Sequence, residues 1–268
     1  YLDVPYLGPI PQFDTKEGRM DGMLADMITV HSPKSTASES FRGIRTGLLF
    51  SSVENDPRVI LVTSAEPSEG KTLCAANLGV TMAQSGSRVA IIDCDMRRPK
   101  MHTVFQINRN AGVSNIMTGA RDLSDVVYSN GIPNLSVIPC GPIPPNPSEL
   151  LGSKRMAEFI EELKGSYERV IIDSPPLTAV TDSAVLAQVC DGVVVVVRAG
   201  VTTRHAVQNA VSQLKGLNVR ILGALLNGVS TRRDSYYYQY YYYYYYGGDR
   251  ENGKKKRRRG HSRSHAAA

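Results

Sequence analysis

The stretch Ser64-Ala65-Glu66-Pro67-Ser68-Glu69-Gly70-Lys71-Thr72 decides how the rest of the chain is read. An aliphatic run over 59–63 precedes it, and a helical pattern over 71–85 follows it. The stretch is a G-x-x-x-x-G-K-[ST] phosphate-binding loop in which Ala65 replaces the first glycine. Gly70 lets backbone N–H groups approach phosphate oxygens, and the helix that opens there adds a favourable dipole. Lys71 is placed to reach β- and γ-phosphates, and the Thr72 hydroxyl to ligate Mg²⁺.

Outward from this loop, short apolar runs alternate with amphipathic stretches. Strands are expected over 59–63, 89–93, 135–139, 170–173, 193–197 and 221–226. Helices are expected from Ser38 and over 71–85, 148–166, 182–189 and 203–216. The strands are almost uninterrupted Val, Ile and Leu, as a parallel sheet covered on both faces requires. The fold class is therefore α/β, a doubly wound, mostly parallel sheet flanked by helices. Residues 1–36, rich in Pro and Gly, read as an extended lead-in, 37–230 as the catalytic domain, and 231–268 as a flexible low-complexity tail.

Two further expected strands end in acids. Ile91-Ile92-Asp93-Cys94-Asp95-Met96-Arg97 delivers two, and Val170-Ile171-Ile172-Asp173-Ser174-Pro175-Pro176 delivers one. Carboxyl ends of strands in an open α/β sheet face the ligand crevice. Three acids beside a phosphate loop suit a site in which Asp95 and Asp173 hold a metal with Thr72 and Asp93 accepts a proton. Spacing leaves the roles of Asp93 and Asp95 exchangeable. Arg97 and Arg98 either meet phosphate or pair with acids.

The charge has a location. The 268 residues carry a formal charge of +6, yet residues 1–246 hold 23 basic and 23 acidic groups, so 247–268 supply the whole excess. A neutral body argues against a nucleic-acid-binding face. Tyrosine is skewed in the same direction, with ten of fourteen at Tyr236, Tyr237, Tyr238, Tyr240, Tyr241, Tyr242, Tyr243, Tyr244, Tyr245 and Tyr246. The basic run 254–259 is open to three readings: anionic lipid, nucleic acid, or a solvated tail. Four scattered cysteines, none in a C-x-x-C pair, exclude a zinc or iron–sulfur scaffold. No apolar run reaches the ~20 residues of a membrane span. The first residue is Tyr1 rather than Met, so the chain reads as a piece of something longer.

These motifs together resemble those of the bacterial tyrosine kinases (BY-kinases). Pro67 with Glu69-Gly70-Lys71-Thr72 resembles their Walker A, Asp93-x-Asp95-x-Arg97 their Walker A′, and Ile171-Ile172-Asp173-Ser174-Pro175-Pro176 their Walker B. Glu39-x-x-Arg42-x-x-Arg45 resembles the helix motif through which members pack into rings. Ser68 stands where many members have Gly. The tyrosine run is similar to the family's C-terminal autophosphorylation cluster, and the Pro-rich opening to the segment after the last membrane helix of one-chain members.

The resemblance implies ATP and Mg²⁺ as cofactors, bound through Pro67, Ser68, Glu69, Gly70, Lys71, Thr72 and Leu73, with Asn227 against adenine. It implies tyrosine autophosphorylation between copies in a homo-oligomeric ring, at the cytoplasmic face of the membrane. The partners it implies are the membrane-anchored machinery exporting capsule or exopolysaccharide and a cognate tyrosine phosphatase. Each phosphate brings about −1.5 to −2 charges, so four would cancel the tail's excess and weaken a ring held through Glu39, Arg42 and Arg45. Two other readings compete. A ParA/MinD-class ATPase shares the fold, but its signature lysine falls at Glu66 here, a reversal of charge. A scaffold or chain-length regulator that binds nucleotide without catalysis has no need of the full set Lys71, Thr72, Asp93, Asp95 and Asp173.

Overall fold

The computed structural model describes residues 3–13, 27–50, 56–129 and 131–230. The tail expected over 231–268, with its ten tyrosines and its basic run, lies outside the described residues. The strands are β1 (Tyr6–Pro11), β2 (Val59–Ser64), β3 (Val89–Asp93), β4 (Tyr128–Ser129), β5 (Leu135–Ile138), β6 (Arg169–Asp173), β7 (Gly192–Arg198) and β8 (Ile221–Val229). They form one sheet in the order β1-β8-β7-β2-β6-β3-β5-β4, parallel throughout except for the antiparallel β4–β5 pair at the edge. The helices are α1 (Ile28–His31), α2 (Thr36–Phe50), α3 (Lys71–Gln84), α4 (Met101–Val104), α5 (Val113–Met117), α6 (Pro147–Leu151), α7 (Lys154–Ser166), α8 (Asp182–Ala187) and α9 (Arg204–Gly216).

Helices cover both faces, and strand alternation divides the apolar side chains between them. Val59, Leu61, Ala90, Ile92, Val170, Ile172, Val193 and Val195 pack with Phe159, Ile160 and Leu163 of α7 and Leu214 of α9. Ile60, Val62, Ile91, Ile171, Val194 and Val196 pack with Phe41, Ile44 and Leu48 of α2 and with α3. Both sides of each central strand are thus dry, which is why these strands read as unbroken aliphatic runs. α3 lies so close to the sheet that a Cβ on Gly79 would sit 2.5 Å from Ile91 Cδ1.

Two expectations need correction. Within the lead-in expected to be extended over 1–36, Tyr6–Pro11 is hydrogen-bonded as a parallel edge strand on β8, with Pro9 opposite Leu226, and Ile28–His31 forms the short helix α1. An edge tolerates proline because one side of the strand bonds nothing, and Leu7 and Ile10 anchor it by burial. The single helix expected over 148–166 is two, α6 and α7. The break falls at Gly152-Ser153, where the Ser153 hydroxyl caps α7 by accepting the Met156 N–H at 3.3 Å.

Sheet order positions the site. β2, β6 and β3 are neighbours, so the loops leaving their carboxyl ends converge, and Asp93 and Asp173 are directly paired in the β3–β6 register.

Candidate active site

The loop between β2 and α3 holds a conformation that its sequence makes costly without support. Ser68 has φ +64°, which a non-glycine residue seldom adopts, and Gly70 has φ +92° as the residue preceding α3. A Cβ on Gly70 would sit 2.1 Å from Asn227 Nδ2. That amide donates to the Glu69 carbonyl at 2.9 Å and is buried. In this structure the Asn227 amide, expected against adenine, braces the back of the loop.

Glu69 is also internal, 2% exposed. Its Oε2 accepts the Glu66 N–H at 2.7 Å, and its Oε1 accepts the Thr202 hydroxyl. Its side chain closes the loop on itself and ties it to the turn after β7. Pro67, Ser68, Gly70, Lys71, Thr72 and Leu73 line a cavity of about 470 Å³ with Asp95, Arg97, Arg98, Lys100, Val104, Pro175, Pro176, Ala179 and Val180. Of the expected cofactor-binding residues, Glu69 and Asn227 do not line it.

The three acids occupy different situations. Asp93 is fully buried; its Oδ1 accepts the Asp95 N–H at 3.2 Å, and its Oδ2 the N–H groups of Met101 at 2.9 Å and Lys100 at 3.1 Å. Burial foremost, then the charge of Asp173, raises its proton affinity well above the usual carboxylate range. Asp95 is the acid that lines the cavity, with Oδ1 accepting the Arg98 N–H at 2.9 Å.

Asp173 is fully buried, and neither of its oxygens has a hydrogen-bond partner of ordinary geometry among the described residues. Burial pushes its pKa up to about 7, against the downward pull of the Lys71 ammonium and the nearby Thr72 hydroxyl. A buried carboxylate that makes no well-formed hydrogen bond, with the Thr72 hydroxyl and the Ser174 N–H close enough to lower its pKa, is rare in native proteins and calls for an explanation by an ion or a ligand. The hard oxygens of Asp173, Asp95 and Thr72 are the donor set that Mg²⁺ prefers.

Arg97 lines the cavity and also meets an acid. It pairs with Asp182 rather than pointing free, Nε to Oδ2 at 2.9 Å. Asp182 and Ser148 were not legible as site residues, since nothing in their spacing separates them from ordinary helix-start positions. On α2, Arg42 pairs with Glu39 and donates to the Pro33 carbonyl at 2.7 Å, while Arg45 donates to the Thr81 carbonyl at 2.8 Å. Within one chain, then, Arg45 fastens α2 to α3.

Comparison with known proteins follows this geometry. Residues 57–221 match the AAA domain family. The putative tyrosine-protein kinase CapB of Staphylococcus aureus is 40% identical over 78% of this chain and 92% of its own. Tyrosine-protein kinase wzc of Salmonella typhimurium is 35% identical over 79% of this chain but only 30% of its own. The solved kinase domain of Escherichia coli tyrosine kinase ETK superposes with a TM-score of 0.81 at 32% identity, covering 86% of this chain and 92% of that domain.

Proposed function

The chain belongs to the bacterial tyrosine kinase family, and from that premise we propose that it is an ATP-dependent autokinase of capsule or exopolysaccharide assembly. Its acceptors are tyrosines among 236–246 of another copy. The observation that carries this reading is the buried Asp173 carboxylate, without a well-formed hydrogen bond, beside Lys71 and Thr72 of a phosphate-binding loop.

Lys71 and the backbone N–H groups of the Gly70–Thr72 turn hold the β- and γ-phosphates. Thr72, Asp95 and Asp173 would hold Mg²⁺, which would supply neutralisation of the phosphate charge. The phenol oxygen attacks the γ-phosphorus as the bond to the β–γ bridging oxygen breaks, ADP leaves, and the phenolic proton passes to a carboxylate. A phenol of pKa about 10 needs a base of raised proton affinity, and burial gives Asp93 that property. Asp93 is closed off by the N–H groups of Asp95, Lys100 and Met101, so the turn 95–101 has to open to expose it. If that turn stays closed, the role falls to Asp95.

Ring assembly through Glu39, Arg42 and Arg45, loosened as phosphates accumulate on the tail, belongs to the same proposal. So does placement at the cytoplasmic face of the membrane, with the export machinery and a tyrosine phosphatase as partners. The relatives' lengths support a kinase unit that either stands alone, as in CapB, or forms part of a longer chain, as in wzc. No helix among the described residues is long and apolar enough to cross a membrane.

The test is incubation of the purified chain with γ-labelled ATP and Mg²⁺, followed by phosphotyrosine detection. Label on 236–246 is expected. Absence of label, or equal label on a Lys71→Met chain, overturns the kinase reading and favours a nucleotide-binding scaffold.

A further inference from the structure

Arg97 lines the same cavity as Asp95 and stands two residues from it. A guanidinium so near a carboxylate required for a divalent cation is a competitor for that carboxylate. Arginine pairs with carboxylates in a charge-assisted and often bidentate fashion, which occupies both oxygens. In this structure Arg97 is directed elsewhere. Its Nε donates to Asp182 Oδ2 at 2.9 Å and its Nη2 to Asp182 Oδ1 at 3.1 Å. The same Nη2 reaches Ser148 Oγ at 3.2 Å, and that hydroxyl donates to Asp182 Oδ1 at 2.5 Å.

Asp182 is the first residue of α8 and is fully buried, whereas the Arg97 side chain is 42% exposed. A buried carboxylate that already accepts a fork from one arginine and a hydroxyl from α6 is strongly held, because losing either donor leaves charge unpartnered in the interior. Arg97 nonetheless senses Asp95. Its guanidinium is stabilised in the charged form first by the bond to Asp182, then by the charges of Asp182 and Asp95. Two acids thus compete for one arginine, and the buried one holds it.

We infer that Asp182, supported by Ser148, is a positioning residue that draws Arg97 aside and so keeps Asp95 free for a divalent cation. The inference rests on the metal-site reading given above. It makes Asp182 a decoy counter-ion: it touches neither nucleotide nor metal and acts through the arginine that it occupies. Neutralising Asp182 releases Arg97 to the other carboxylate whose charge it feels, Asp95, and a metal then has to displace a salt bridge in order to bind.

The test is equilibrium binding of a fluorescent ADP analogue to the full chain, titrated with Mg²⁺ alone, with melting temperature as a check on folding. Asp182→Asn is expected to raise the Mg²⁺ concentration for half-maximal binding at least about fivefold. Ser148→Ala, which removes one support of Asp182, gives a smaller rise in the same direction. Adding Arg97→Gln to Asp182→Asn is expected to bring the requirement back to within about twofold of the unaltered chain, since the competitor is gone.

An unchanged Mg²⁺ requirement in Asp182→Asn overturns the inference. So does a double variant as impaired as the single one, because Asp182 would then act through the fold alone. If Asp182→Asn does not fold, Ser148→Ala and the double variant decide by the same criteria. An unaltered chain that binds the analogue equally with and without Mg²⁺ overturns the metal-site reading itself and is distinguishable from these outcomes.

Discussion

The ends of β3 and β6 are as alike as two places in this molecule can be. Both strands are parallel, buried and aliphatic, both end in aspartate, and Asp93 and Asp173 face each other in the sheet register. They differ in what surrounds the carboxylate. Asp93 takes three backbone N–H groups and shapes the turn into α4, whereas the Ser174 N–H and the Thr72 hydroxyl lie near Asp173 without a well-formed hydrogen bond. A satisfied buried acid builds structure, and one left unsatisfied is held in reserve for something that the chain does not itself provide.

The sharpest way to break this comparison is to remove the cation that faces the idle acid. Lys71→Met is expected to lower autophosphorylation by roughly 10²–10³-fold or more, read as phosphotyrosine formed per minute, with an unchanged circular dichroism spectrum. Asp173→Asn and Asp93→Asn should then part company in thermal melts at pH 8. Asp93→Asn costs about 1–3 kcal/mol, because an amide NH₂ group now faces N–H donors in the interior. Asp173→Asn leaves metal-free stability unchanged or raised while abolishing the gain conferred by Mg²⁺ and ADP. Equal destabilisation by both would erase the distinction.

Asp173 also sets a pH dependence. Its folded pKa of about 7 lies above its ordinary value of 3.8, so the unfolded chain ionises first as pH rises. The folded state therefore binds more protons between these values, and metal-free stability falls as pH climbs from about 4 to about 7. Asp93 contributes in the same direction. Asp173→Asn is expected to flatten part of that slope in melts without Mg²⁺. A slope that is unchanged in this variant would assign it to other groups. Smallest is the brace behind the loop: Asn227→Ala is expected to cost about 1 kcal/mol, mainly as weaker nucleotide binding. A loss confined to adenine nucleotides, with inorganic triphosphate unaffected, would assign Asn227 to an adenine contact instead.

What could be read from the sequence divides along the same line. Phosphate loop, acid-tipped strands and doubly wound sheet were legible because each is local: a period, a spacing, a glycine before a lysine. Contacts between distant residues were not. Asn227 reads as a strand-end polar residue until β8 brings it to the Glu69 carbonyl, 158 positions away. Asp182 reads as a helix start until Arg97 reaches it across 85. β1 was missed for a related reason, since Gly8 and the prolines mask a strand that packs against α2 and pairs with β8. The break at Gly152-Ser153 was local and readable, as glycine followed by a capping serine, but the apolar spacing across it obscured it.

The edge pairing of β1 with β8 has a mechanical side. The two strands run parallel from Tyr6 opposite Ala224 to Pro11 opposite Val229, and Gln12 N donates to the Val229 carbonyl at 2.8 Å. A pull on the chain ahead of Tyr6 along the strand axis loads these bonds in shear, so they bear the force together rather than peeling one after another. The strand that takes this load also carries Asn227, the brace of the phosphate loop. Tension on the lead-in is thereby delivered to the nucleotide end of the sheet.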